Sequence, residues 1–99
     1  MDVQKFMFAL SEANPSVLNM HAANLLMDIK NCCFSIVAYS SEMACCISCL
    51  SIDENKRKVD ECMTAIASLS ETYKLLAEQR KAILVRLQEI KKRNFIPQS

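Results

Sequence analysis

Cysteine is the residue type in this chain with the clearest capacity for chemistry. There are six cysteines in 99 residues, and Cys45 and Cys49 are four positions apart, a spacing that brings two thiols to one face of a helix. Cys46 and Cys62 join them if the chain turns near residues 51–54. A structural zinc site usually takes two ligands from each of two elements, but no repeated C-x-x-C occurs here. We interpret these thiols as small buried apolar groups, with zinc and a disulfide through Cys62 as alternatives.

The remaining residues do not form a catalytic arrangement. His21 is the only histidine and has no carboxylate partner close to it in sequence. The adjacent Cys32 and Cys33 lack the basic neighbours that activate a thiolate. Paired carboxylates and a glycine-rich phosphate loop are also missing, and the chain contains no glycine at all. We therefore expect a protein that is not an enzyme and that holds neither a metal nor a cofactor.

Basic side chains in the second half of the chain suggest a different function. A helical dimer can bind double-stranded RNA through its backbone and shape, and basic residues one heptad apart would line such a surface. Acidic residues are interleaved with them, however, and cations near a helix C-terminus are expected from the macrodipole alone. Nucleic-acid binding is therefore the alternative interpretation. Its candidate contacts are Lys74, Lys81, Arg86, Lys91, Lys92 and Arg93.

Three helices are predicted to position these residues, over residues 2–13, 15–50 and 52–95. Asn14-Pro15 ends the first helix and starts the second, because asparagine caps a helix and proline fits its first turn. Ser51 to Glu54 has the pattern of a capping box, which starts the third helix.

Heptad patterns in the two long helices define a predicted core. Since a short turn joins these helices, they must run antiparallel. The sequence thus predicts one all-α domain over residues 1–99, a short N-terminal helix followed by a long, coiled-coil-like helical hairpin. The predicted core consists of Ala22, Leu25, Ile29, Ile36, Met43, Ile66, Leu69, Leu76, Ile83 and Leu87.

The second helix is apolar on most of its circumference, which predicts that it is covered on more than one side. A two-fold homodimer forming a four-helix bundle is the simplest way to cover it. The predicted interface is Leu25, Ile29, Phe34, Ile36, Val37, Met43, Ala44 and Ile47, and the residues expected to be exposed in a monomer are Phe6, Met7, Phe34 and Val37.

The function predicted from these patterns is that of a structural, adaptor or scaffold subunit that contacts itself and other helical proteins. Reduced thiols favour the cytoplasm, with the nucleus as the alternative. Residues 32–50 also resemble a weak membrane span, but Glu42 near its middle disfavours membrane insertion.

Overall fold

The computed structural model describes residues 2–49 and 51–95, which form three α-helices and no strand. These are α1 (Val3–Leu10), α2 (Pro15–Cys49) and α3 (Ile52–Phe95). α2 and α3 pack against each other, so the predicted helical hairpin is confirmed. Their predicted bounds agree with the structure, apart from Leu50, which lies outside the described residues.

Helix α1 is shorter than predicted, and local hydrogen bonds explain both of its ends. The Asp2 carboxylate accepts from the backbone N–H of Lys5 at 2.8 Å, which places the N-cap at Asp2. After α1, the Glu12 carboxylate accepts from the backbone N–H groups of Ala13 and Asn14 at 3.1 and 3.0 Å. These two donors are therefore satisfied by a side chain instead of by helical carbonyls, and the helix ends before residue 13.

The two predicted caps of the long helices are present. Asn14 Oδ1 accepts from the backbone N–H of Ser16 at 3.0 Å, directly across Pro15. Ser51 Oγ accepts from the backbone N–H of Glu54 at 3.4 Å, which is the serine half of the predicted capping box. Each side chain satisfies one of the free N–H groups in a first helical turn. The start of each long helix is thus fixed by its own local sequence.

The chain forms two compact units. Unit 1 consists of Met1–Asp28 together with Leu75–Ser99, and unit 2 is Ile29–Lys74. Each unit contains part of α2 and part of α3, and unit 1 also contains α1. The prediction of a single domain over the whole chain stays a prediction.

Unit 1 has a core of large apolar side chains. Leu18, Leu25 and Ile83 are fully buried in it. Arg80, the polar residue that interrupts the heptad pattern of α3, is half-buried, and its Nε donates to the carbonyl of Ala22 at 3.3 Å. The buried apolar residues of this unit are Ala9, Leu18, Ala22, Leu25, Leu76, Ile83, Leu87 and Ile90.

Unit 2 buries thiols in the places where unit 1 buries leucine and isoleucine. Cys32, Cys46 and Cys62 are the buried apolar residues in the described part of this unit, and Cys32 Sγ donates to the carbonyl of Leu69 at 3.1 Å. The predicted core is therefore buried only in unit 1, at Ala22, Leu25, Leu76, Ile83 and Leu87. Its members in unit 2 are half-buried: Ile29, Ile36, Met43, Ile66 and Leu69.

Candidate protein-protein interface on α2

Helix α2 carries a line of exposed residues on the side turned away from its buried positions. On a helix with about 100° between successive residues, positions three and four apart fall on one face. In unit 2 this pattern selects a second set of residues, offset from the set that includes Cys32 and Cys46. We call this set the outer face; it consists of Lys30, Phe34, Val37, Ser41, Ala44 and Ser48, all exposed.

The outer face carries two large apolar side chains and several small residues. Phe34 and Val37 are 71% and 62% exposed, and a cluster of exposed apolar side chains is typical of an interaction site. The C-terminal half of the face is built from small residues, which allow a second helix to approach closely. The hydroxyl of Ser48 donates to the carbonyl of Ala44 at 3.3 Å. This hydroxyl can therefore be covered without losing a partner.

The structure divides the predicted interface between two sides of α2. Leu25, which belongs to both the predicted core and the predicted interface, is fully buried. The reason is that Leu25 follows the same heptad set as Cys32, whose thiol donates to the carbonyl of Leu69 on α3. Leu25, Ile29, Ile36 and Met43 belong to this inner side, whereas Phe34, Val37 and Ala44 lie on the outer face. Ile47 is exposed, although its spacing of about five turns from Ile29 places it on the inner side.

The first helix contributes a separate apolar surface in unit 1. Met7 is exposed as predicted, but Phe6 is half-buried. Phe8, which was not predicted as an exposed contact residue, is 74% exposed. It lines an open cavity of about 450 Å³ together with Gln4, Lys5, His21 and Asn24. His21 therefore lies half-buried at a cavity wall, beside a lysine and two amides.

The thiols considered as metal ligands lie in different surroundings. Cys46 and Cys62 are buried and Cys45 is exposed, and all three are free, while the side chain of Cys49 lies outside the described residues. Burial is the main cause that raises the pKa of the Cys62 thiol, and the charge of Glu42 raises this pKa further. Cys62 is therefore held as a neutral thiol. In the described part of the chain, no group of three or more His, Cys, Asp or Glu residues could hold a metal ion.

The predicted nucleic-acid contacts do not share one face of α3. Lys74, Lys81 and Lys92 fall within about 20° of one another around an ideal helix. Arg86, Lys91 and Arg93 fall on other sides of the same helix. Of the six predicted basic contacts, only three thus share a face that could follow a phosphate backbone.

Neighbouring glutamates partly neutralise two of the predicted basic contacts, Lys74 and Arg86. Lys74 Nζ lies 3.5 Å from Glu71 Oε1, and Arg86 Nη1 lies 4.0 Å from Glu89 Oε2. Ion pairs at the protein surface contribute little to stability, but they lower the local positive potential that phosphate would meet. Lys74, Lys81 and Lys92, which are all exposed, therefore resemble an ordinary solvated helix face.

Comparisons with known proteins gave no match to a family model, to a curated protein or to a solved structure. In the described residues, no helix combines the length and the apolar character needed to cross a bilayer. The arrangement of side chains on α2 and α3 is therefore the basis for the function proposed below.

Proposed function

We propose that this chain is a non-enzymatic structural, adaptor or scaffold subunit that assembles through the outer face of α2. The observation that carries this proposal is the contrast between the two sides of α2 in unit 2. The inner side buries only the small thiols Cys32 and Cys46, while Phe34 and Val37 on the outer face are left in water. Removing such side chains from water favours association by about 25 cal/mol for each Å² of apolar surface.

Self-association is the simplest form of this assembly. Two chains that meet through the outer faces of α2 give a four-helix assembly with closed two-fold symmetry, the commonest symmetry of soluble oligomers. Other helical subunits with an apolar stripe fit the same face. The exposed free thiols Cys33 and Cys45 support a reducing compartment, the cytoplasm or the nucleus, because such compartments keep thiols reduced.

Analytical ultracentrifugation of the purified chain tests the proposal. We expect a reversible dimer or larger species at micromolar concentration. Val37→Asp should shift the protein to monomer, because it places an unpaired charge in the contact. Met63→Asp is the matched control, since Met63 is exposed on α3 in the same unit and should leave association unchanged. A folded wild-type monomer at every concentration would contradict the proposal.

Binding of double-stranded RNA has weaker support, from Lys74, Lys81 and Lys92 alone. Under the scaffold proposal, changing Lys74, Lys81, Arg86 and Lys92 to glutamate leaves assembly intact. Under the RNA alternative, the same changes abolish binding, and binding by the wild type weakens steeply as salt is raised. A gel-shift with a generic RNA duplex at low and near-physiological salt separates the two functions. Sub-micromolar, salt-dependent binding that these four changes remove would replace the scaffold proposal.

A further inference from the structure

The outer face of α2 is unsymmetrical in side-chain size along its length. Its N-terminal half carries the large residues Phe34 and Val37, and its C-terminal half carries the small residues Ser41, Ala44 and Ser48. We propose that this face binds a second copy of itself in antiparallel orientation. This inference rests on the proposed function and specifies the partner and the register of that contact.

The register follows from matching large residues with small ones. An antiparallel two-fold pairing centred between Val37 and Ser41 places Val37 of one copy against Ser41 of the other. The same pairing places Phe34 against Ala44 and Lys30 against Ser48. Each layer then contains one large and one small side chain, so the two helices keep an even separation along the contact. Even packing of this kind is what knobs-into-holes contacts require.

Charge favours the same orientation. Helix α2 has no basic residue in its last turn, where the carbonyl groups carry the negative end of the helix macrodipole; the carbonyl of Ile47 there accepts from the uncharged amide Nδ2 of Asn55 at 3.4 Å. In the antiparallel register, Lys30 of one copy lies opposite Ser48 of the other, next to that turn. Its ammonium group can therefore reach the carbonyl end of the partner helix. Lys30 of the second copy thus places a cation near the last turn of α2, where the helix has no basic residue of its own.

A parallel pairing fits the same residues poorly. It places Phe34 against Phe34 and Ala44 against Ala44, which gives one oversized layer and one undersized layer. It also brings two Lys30 ammonium groups together, and like charges in contact are unfavourable. Both size and charge therefore select the antiparallel arrangement.

A double-mutant cycle on Phe34 and Ala44 tests the orientation. In the antiparallel register the two positions contact each other across the interface, twice in each dimer. Phe34→Ala should raise the dimer Kd at least about 100-fold, as for a large aromatic anchor that occurs twice in each dimer. Ala44→Phe should raise it about 10-fold, because two rings then compete for one site. The double variant restores one ring for each site and should return to within about 10-fold of the wild type.

A parallel dimer gives a different outcome. Positions 34 and 44 are then about 15 Å apart along the helix, so the two effects should simply add, and additive effects would overturn the antiparallel register. The matched control combines Phe34→Ala with Ala67→Phe, which adds the same ring at an exposed position of α3 and should restore nothing. Circular dichroism of the dilute variants shows whether each chain keeps its helices.

Sedimentation equilibrium distinguishes the two proposals. A wild-type chain that stays monomeric contradicts both the proposed self-association and its register. A wild-type dimer whose cycle shows additive effects contradicts the register alone and leaves the proposed function standing. A wild-type dimer with a strongly coupled cycle supports both.

Discussion

Truncation of Leu25 tests whether this residue belongs to the core of the chain or to a subunit contact. Leu25 is fully buried in unit 1, whereas Met27, two positions along the same helix, is 58% exposed. Both side chains are of similar size, and leucine, methionine and alanine are all good helix formers. Leu25→Ala should therefore lower the free energy of unfolding by about 3 kcal/mol, within the range for buried leucines. Met27→Ala should lower it by less than about 1 kcal/mol.

The consequence for a chain of this size is large. A small domain is stabilised by only about 5–15 kcal/mol, and at about 4–8 °C for each kcal/mol the Leu25 variant should melt roughly 12–24 °C below the wild type. Urea unfolding followed by circular dichroism measures both variants. Because Leu25 is covered by its own chain, the loss should be the same at dilute and at concentrated protein. Equal losses at the two positions, or a Leu25 effect that vanishes on dilution, would refute the assignment of Leu25 to the core.

Two further predictions concern Arg80, the polar residue in the heptad pattern of α3, and the buried thiol of Cys62. Arg80→Leu should raise the free energy of unfolding by about 1 kcal/mol, because it extends the apolar core of unit 1. If urea denaturation shows a lower free energy of unfolding instead, the hydrogen bond from Arg80 to the carbonyl of Ala22 contributes more than the added apolar surface. Since the pKa of Cys62 is raised in the folded chain, the unfolded chain loses this proton first as pH rises. The contribution of Cys62 to stability is therefore present below the ordinary thiol pKa of about 8.5 and is lost as pH rises through the higher folded pKa. Between pH 7 and 10, the melting temperature of the wild type should fall more steeply with pH than that of Cys62→Ala. An equal fall in both proteins would contradict the predicted role of the Cys62 thiol.

The helices could be predicted from sequence because their signals are local. Asn14-Pro15 and Ser51 to Glu54 each satisfy backbone N–H groups within one turn, so the starts of α2 and α3 do not depend on the rest of the fold. The end of α1 was missed for the same kind of reason. Glutamate is a residue that helices tolerate, so Glu12 gives no signal for a helix end. In the structure its carboxylate accepts from the backbone N–H groups of the next two residues, which ends the helix.

The interface could be predicted only in part, because periodicity does not identify the partner of a face. Helix α2 contains two sets of residues with the same 3-4 alternation, one through Cys32 and one through Phe34, and both sets include apolar side chains. The apolar residues of both sets predict burial, and the local sequence does not determine which set packs against α3. Only the packing of α2 against α3 separates Leu25 and Ile36 from Phe34 and Val37. The exposed Phe8 on α1 had no comparable periodic signal beyond its own short helix.

The choice of cysteine at the buried positions of unit 2 has a consequence for assembly. A thiol fills less volume than leucine, so Cys32, Cys46 and Cys62 bury less apolar surface than the leucines and isoleucines of unit 1, and burial is the main driving force for folding. The hairpin contact in unit 2 should accordingly be the weaker one when the chain is alone. Covering Phe34 and Val37 stabilises the same stretch of α2 from its other side, since any partner that binds the folded state adds to its stability. Association and folding of unit 2 should therefore be coupled, and hydrogen exchange of the backbone N–H groups in residues 30–48 should slow with rising protein concentration more than exchange in unit 1. Slowing of equal size in both units would indicate that the contact lies elsewhere on the chain.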